Sequence, residues 1–424
     1  MDHIIIDTNF RVACVGFLNR ALLLLTLSII SPTYAEECKE FKVPQDILDC
    51  ALKNDPDLSL SDAEIQMAKK LEPIAELRPN PEISNKSLTG LAPDSQFYTE
   101  LNISHVVELG GKREARIHKA RAEVALKEAE KSLGSDDVYR RTALSLYRIR
   151  QIKVELKVIE DVISTYGKIR KMFQARPVMT PEQKASIQNF EVSEYEYGMM
   201  KIPLESEIDK HWRELQNSTG RKFKLESELL PKLFKDWPNI DSPISETHSG
   251  STRLLLGKAT IANAQASLAE SEAESGLDLR IGPSMEMDRQ FDRNKLAFGF
   301  NVSVPLPLFH RNEAKTAYHR MAVDTAENAY RVALNASRNE RALYVEKYRS
   351  QLAALKKLPT LAKISGKHDE IESSFIQGFI NGSSVLDIHR QMYEYAKIQN
   401  EIELNMIDAL LRIKALEGKH FEVK

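Results

Sequence analysis

The 424-residue chain carries 59 Lys and Arg against 61 Asp and Glu, for a formal net charge of −2, and no stretch is basic enough to neutralise a run of phosphates. That argues against nucleic acid as a partner. With 17 Gly, 17 Pro, 7% aromatic and 28% charged residues, the composition is that of a helix-rich chain with a thin, long core.

The N-terminus reads as an export signal: Arg11 and Arg20 precede the apolar run Ala21–Ile30, and Thr33-Tyr34-Ala35 offers a small-residue cleavage site before Glu36. The run is about ten residues long, too short to span a bilayer, and Pro32 breaks it. Of three cysteines, Cys14 leaves with residues 1–35. Cys38 and Cys50 stay close together in an exported chain, either as a disulfide or as two free thiols. No later segment offers eighteen consecutive apolar residues, so any membrane crossing must use strands.

Helix-spaced apolar residues run over Val43–Asn54 and Leu58–Leu77, broken at Asp55-Pro56, and Arg78-Pro79-Asn80-Pro81 ends the second helix. Pro81–Leu88 is a weak strand, followed by turn residues Thr89–Ser95. A clear period of two follows, with Phe97, Thr99, Leu101, Ile103 and Val107 on one face and Tyr98, Glu100, Asn102 and Ser104 on the other. His105 falls on the apolar face and reads as a residue near the membrane edge. Gly110-Gly111 is the hinge from strand to helix. It is not a phosphate loop, because Val106 and Arg113 occupy positions that motif reserves for Gly and for Ser or Thr.

Lys112–Gln174 holds no proline, which predicts one helix of ~95 Å. Ile149, Ile152, Leu156, Ile159, Ile163 and Tyr166 form one stripe and Val154, Val158 and Val162 a second, so this helix should have a helical neighbour on each side. Arg176–Pro181 turns the chain back, with Thr180 as N-cap and Pro181 in the first turn of a return helix reaching about Gln216, kinked at Pro203. Residues 221–250 read as an irregular bridge.

A helix over Ser251–Ser275 leads into two more alternating strands. Leu277, Leu279, Ile281, Met285 and Met287 oppose Asp278, Arg280, Ser284, Glu286 and Asp288. After a turn at Asp292-Arg293-Asn294, Leu296, Phe298, Phe300, Val302 and Val304 oppose Ala297, Gly299, Asn301 and Ser303. Pro305 and Pro307 end the strand. A helix from about Asn312 to Pro359, a reversal at Phe375–Gly382 and a last helix to about Leu416 complete the chain.

Shifted by 199 residues, Asn102–Arg116 lies over Asn301–Lys315 without a gap: Asn, Ser, Leu, Glu and Ala coincide, and basic residues face basic residues. The chain is thus two copies of strand, turn and long helix, 36–220 and 251–424, joined by 221–250. Four amphipathic strands of bilayer length cannot close a barrel, and open edges are not tolerated in lipid, so several copies must share one wall with a polar lumen (Glu100, Asn102, Asp278, Arg280, Glu286).

In these features the chain resembles the outer-membrane efflux channel family typified by TolC. Val107-Glu-Leu-Gly-Gly-Lys-Arg113 and Val304-Pro-Leu-Pro-Leu-Phe309 are similar to the strand-to-helix junctions of its heavy-metal, CzcC-like group. Asn80–Ile83 and the tip Gly378 to Val385-Leu386-Asp387 also fit. The resemblance implies a mostly α fold with a membrane β part: a homotrimer in the outer membrane whose strands make a twelve-stranded barrel and whose helices make a periplasmic barrel. It implies docking on a periplasmic adaptor and an inner-membrane pump, of the RND type in this group, with the channel catalysing nothing. In the family a pair of acidic residues three apart constricts the tip. Here the second matches Asp387 and the first falls on Ser384, while the gate's tyrosine and arginine positions match Phe375 and Ile380. One ring of three carboxylates should still favour cations. Drug efflux and protein secretion stay open as alternatives. A periplasmic adaptor is the rival of another class, but it predicts one hairpin rather than two copies of the unit. Scattered histidines without zinc spacing, and no nucleophile or acid/base motif, leave no catalytic, cofactor or metal set.

Overall fold

The computed structural model describes residues 38, 40–90, 97–232, 237–240, 250–290, 293–309, 311–359 and 370–423. The expected signal over 1–35, the turn residues 91–95 and Asp292 lie outside the described residues. Glu40–Lys424 form one compact unit, which is the subject below; of Met1–Lys39 only Cys38 is described.

In chain order the elements are α1 (Pro44–Asn54), α2 (Pro56–Lys69), α3 (Leu71–Glu76), β1 (Glu82–Thr89), β2 (Phe97–Glu108), α4 (Lys112–Gln174), α5 (Pro181–Thr219), α6 (Thr252–Glu274), β3 (Asp278–Gln290), β4 (Arg293–Ser303), α7 (Glu313–Lys357) and α8 (Gly382–Leu416). The long helix has the limits expected from sequence at both ends. Gly110 and Gly111 both take left-handed φ, 74° and 73°, where a side chain would be strained. Thr180 accepts a hydrogen bond from the Gln183 amide (3.2 Å) while Gln183 reaches back to the Thr180 amide (3.1 Å), a closed capping box. Helix α5 continues through Pro203.

Two expectations need correction. Arg293 and Asn294, read as part of a turn, are the first residues of β4, paired with Gln290 and Arg289. Leu58–Leu77 is not one helix but two, α2 and α3, divided at Lys70. The cause is Pro73, which has no amide hydrogen and whose ring collides with the carbonyl of residue 69 in a continuous helix.

The four strands form one antiparallel sheet in the order β1-β2-β3-β4, in which the central pairing, β2 with β3, joins the two copies. The β2–β3 ladder is unbroken except at Ile103 and Ser104, which stand opposite Pro283 and Gly282. Pro283 cannot donate there, and the backbones approach so closely that a Cβ on Gly282 would land on the Ile103 carbonyl oxygen.

The helices form a layer with α4 inside it. On one side α1, α2 and α3 pack along one part of α4, and α5 along the rest. On the other side α6 and then α8 do the same, and α7 packs outside α6 and α8. Ion pairs fix the arrangement: Lys127–Glu64 (3.3 Å) and Lys131–Asp62 (2.6 Å) for α2, Lys201–Glu160 (2.8 Å) for α5, and Lys119–Glu270 (2.6 Å) for α6. Helix α4 thus has helical neighbours on two sides, and residues of both stripes, Ile152, Ile159 and Tyr166 with Val158 and Val162, enter one core. Around the middle, Leu229, Leu230 and Ile240 of the bridging segment join a core with Tyr147, Tyr348 and Leu410, and Tyr348 donates to the Pro238 carbonyl (2.7 Å).

Candidate functional site

The register aligns the period-two patterns of β2, β3 and β4, so these strands present two chemically distinct faces, while β1 is polar on both apart from Ile83 and Leu88. Rungs run Lys86–Glu100–Glu286–Ala297, Leu88–Tyr98–Asp288–Lys295 and Ser84–Asn102–Ser284–Gly299 on the polar face. Asn102 (2.9 Å) and Tyr98 (3.2 Å) both donate to Glu100, and Arg280 of β3 pairs with Glu82 of β1 across β2. The opposite face carries Ile83, Leu101, Ile103, Met285, Met287, Leu296, Phe298, Phe300 and Val302. His105 lies in an apolar rung with Ile281 and Val302, its Nδ1 without a partner. The edges, β1 and β4, have no pairing partner among the described residues.

Below the sheet, the start of each long helix ties down the end of the helix that precedes its strands. Arg113 donates to the Glu76 carbonyl (2.8 Å) and Arg116 to the Leu77 carbonyl (3.3 Å), placing cations at the C-terminus of α3, while Arg116 also pairs with Glu108. Lys112 pairs with Asp278 (2.7 Å) at the start of β3. In the second copy, 199 residues on, Asn312 donates to the Ser271 carbonyl (2.8 Å) and Lys315 pairs with Glu274, both at the end of α6. Burial alone would raise the Glu274 carboxyl, but its hydrogen bonds to Lys315 and Asn312 outweigh that and hold it below its ordinary value. Where the first copy uses Gly110 and Gly111, the second passes through Pro305 and Pro307 and reaches the left-handed region at Asn312 (φ 60°).

Midway along α4 lies a buried polar network that sequence reading passed over. Arg148 grips Glu207 of α5 with two nitrogens (2.8 and 3.0 Å) and Glu155 with a third (2.8 Å). Gln151 donates to the Asn400 carbonyl (2.9 Å) and to Glu403 (2.8 Å), Asn400 donates to Glu155 (2.9 Å), and Arg150 pairs with Glu403. Burial opposes the Arg148 charge, but its two carboxylate partners more than offset it and the guanidinium is held well above its usual value. Hydrogen bonding to Arg148 in turn lowers the Glu207 carboxyl. Such a network fixes the register of three helices. Its only sequence signal is polar residues at Gln151 and Glu155 within an apolar stripe.

At the far end of the layer, residues 370–376 are helical and Gly378 (φ 80°) turns the chain toward α8, whose N-cap Asn381 accepts from the Ser384 amide (3.0 Å). The residues at the gate positions divide. Phe375 is buried between Phe173 (centroids 5.7 Å) and Phe190 (5.6 Å), and Ile380 packs against the same core. Ser384 is half-buried, and Asp387 is exposed with a carboxylate oxygen 3.0 Å from Arg390. The aromatic core continues through Tyr166, Tyr197 and Tyr393, and His389, fully buried, shares a hydrogen bond with the Tyr166 hydroxyl (3.1 Å). Burial pushes Tyr166 far up and Tyr197 up to about 12, so these phenols stay neutral.

Cys50 is buried on α1 and is disulfide-bonded, as is Cys38. Among the described residues no three His, Cys, Asp or Glu side chains gather as a metal site, and no helix is long and apolar enough to cross a membrane.

The sequence matches no family model and no curated protein. Solved structures do resemble this one at 14% identity. CusC, a protein that forms a transmembrane channel, superposes with a TM-score of 0.70 over 89% of this chain and 92% of its own. The CmeC outer membrane channel of Campylobacter jejuni gives 0.68 over 89% and 86%, and the open state of the MtrE outer membrane channel of Neisseria gonorrhoeae 0.68 over 89% and 89%. The two-faced sheet, the paired junctions and the layered long helices therefore constitute the fold of outer-membrane channels.

Proposed function

We propose that this chain is the outer-membrane channel of a tripartite efflux system: a homotrimer whose three sheets close into a twelve-stranded barrel and whose helices form a periplasmic barrel, a passive path that catalyses nothing. One observation carries this reading. On β2, β3 and β4 the sheet is apolar on one face and polar on the other, and among the described residues neither of its edges, β1 and β4, is paired. Lipid demands closure of such a sheet, and a single chain cannot provide it. The helical layer is likewise unfinished at its sides. Leu60, Met67 and Ile74, seven apart, and Val192, Tyr195, Met199 and Ile202 are exposed on α2, α3 and α5 at one edge, and Tyr318, Met321, Val332 and Leu343 on α7 at the other. These are the seams a neighbouring copy would cover. The two repeats, 36–220 and 251–424, each supply two strands and one helical hairpin. A periplasmic adaptor and an inner-membrane pump of the RND type complete the assembly.

The purified protein in detergent is expected to have the mass of three chains and to form steps of conductance in planar bilayers. A monomer with no conductance would remove the reading in favour of a periplasmic adaptor.

The tip is the gate, with Asp387 and Ser384 at its constriction and Phe375, Gly378 and Ile380 setting the turn behind them. Three Asp387 carboxylates favour cations, but each has Arg390 beside it, so the ring is partly balanced. Asp387→Asn should therefore lower the cation-to-anion permeability ratio and Arg390→Gln should raise it. Selectivity unchanged in both would place the filter elsewhere. The substrate proposed is a metal cation, on the likeness of the junctions to the heavy-metal group. Cells lacking the gene should become sensitive to divalent cations, whereas sensitivity to hydrophobic dyes alone would assign the channel to drug efflux.

A further inference from the structure

The lipid-type face of the sheet does not end where the sheet ends. On β4 it is carried by Leu296, Phe298, Phe300 and Val302, and hydrogen bonding stops at the rung Ser303–Arg280. Val304 and Leu306 continue the same parity beyond it, and Leu308 and Phe309 follow; all four are exposed, Phe309 fully. Pro305 and Pro307 occupy the intervening positions. Pro305 holds φ near the extended value as far as Leu306, and there the Leu308 amide donates to the Leu306 carbonyl (2.9 Å), a tight turn about Pro307 that gathers Leu306, Leu308 and Phe309 at one tip.

Length makes the extension meaningful. From Leu296 to Val302 the apolar row climbs six residues, ~20 Å along the strand and ~14 Å of height at a ~45° tilt, short of the ~25 Å apolar band of membrane barrels. On β2 the row Phe97–Val107 climbs ten residues, ~23 Å by the same reckoning. Carried on to Leu306, the last residue before the turn, the β4 row also reaches ~23 Å. Leu109 and Leu277, next to the ends of β2 and β3, are exposed near the same level.

The segment also stands off from the helices. An open hollow of 490 Å³ separates it from the turn between α6 and β3, with Leu306, Leu308 and Phe309 on one wall and Gly276 and Leu277 on the other. Arg311 donates Nε to the Pro307 carbonyl (3.3 Å), bending the segment back beneath its own apolar tip. The first copy has no counterpart, because Gly110-Gly111 turns directly into α4.

We propose that Val304–Phe309 is a lipid anchor: a proline-stiffened flap immersed at the headgroup–acyl boundary of the leaflet on the helical side, with phospholipid acyl chains against Leu306, Leu308 and Phe309. This rests on the membrane-spanning reading of the sheet, and its argument is the continuity of the flap with that lipid-facing row. Apolar side chains at the end of a spanning strand, followed by a basic residue, match the order of acyl chain, boundary and phosphate met on leaving a bilayer.

The test uses the full-length protein in vesicles of phosphatidylethanolamine and phosphatidylglycerol, with and without bromine on the acyl chains. Phe309→Trp and Leu306→Trp are read against the parent, whose Trp212 and Trp237 set the background, and Phe298→Trp on β4 reports on the barrel wall. The expected result is added emission at short wavelength from both flap variants, quenched by brominated lipid roughly as strongly as that of Phe298→Trp. Quenching of Phe298→Trp alone, with long-wavelength emission from the flap, would overturn the anchor and leave the membrane reading standing. Short-wavelength emission that bromine does not quench would assign the flap to a second copy of the chain and also overturn it. Quenching at none of the three positions would remove the membrane reading itself.

Discussion

Gly282→Val is expected to abolish the folded protein in the outer membrane, with the chain recovered as an unassembled or degraded species on unheated gels. A Cβ at this position would sit on the Ile103 carbonyl oxygen, with the Ser104 Cα close behind it, and both are backbone atoms of the neighbouring strand that cannot swing away. The site is already the one interruption in the β2–β3 ladder, because Pro283 donates nothing, so no reserve of hydrogen bonds holds the strands in register. The cost is on the order of 4–5 kcal/mol or more, in the range that unfolds marginal proteins. Gly299 supplies the control. A Cβ there meets only the Ser284 hydroxyl oxygen at 2.8 Å, the free end of a side chain that can rotate, so Gly299→Ala should assemble normally. Assembly of Gly282→Val at the parental level would show that β2 and β3 are not in this register.

Phe190→Ala should loosen the tip of the helical layer by about 3–5 kcal/mol. The ring is fully buried between Tyr166 (centroids 5.2 Å) and Phe375 (5.6 Å), at the point where α5 meets the turn into α8, and Gly382 lies against its edge. Removing it leaves a void bounded by aromatic rings that cannot all move inward. The effect should be confined to the tip, because the polar network around Arg148 and Gln151 holds α4, α5 and α8 independently farther up. Amide hydrogen exchange measures this directly. Rates over residues 160–200 and 375–396 should rise by roughly two to three orders of magnitude, while those around residues 145–155 stay as in the parent. Unchanged protection at the tip would mean that the aromatic core is not what holds the hairpins together there.

Much of the architecture was legible because its signals are periodic. Lys112–Gln174 has no interior proline, begins after paired glycines and ends at the limits its pattern predicts, and the alternation over Phe97–Val107 passes directly into one face of β2. Pro73 was overlooked because apolar spacing over Leu58–Leu77 continues through it, so the break at Lys70 came from backbone sterics rather than hydrophobic pattern. The tip was less legible. A resemblance aligns positions along a chain and does not say which way a side chain faces: Phe375 and Ile380 lie in the core, and the charge beside Asp387 comes from Arg390, one turn on. The network at Arg148 was hidden for the opposite reason. Its members are ordinary polar and charged residues spread over three helices, and only the packing of α5 and α8 against α4 brings them together and buries them.

The continuity of α4 and the segmentation of its partners have a mechanical meaning. A 63-residue helix without a break is a stiff beam, and α7, with 45, is another. Their companions are each built in pieces, α1 to α3 with α5, and α6 with α8. A torque applied at the tip is therefore carried along the beams to the junctions below the sheet, while bending is taken up at the joints between the pieces. Compliance resides in one half of each repeat and leverage in the other.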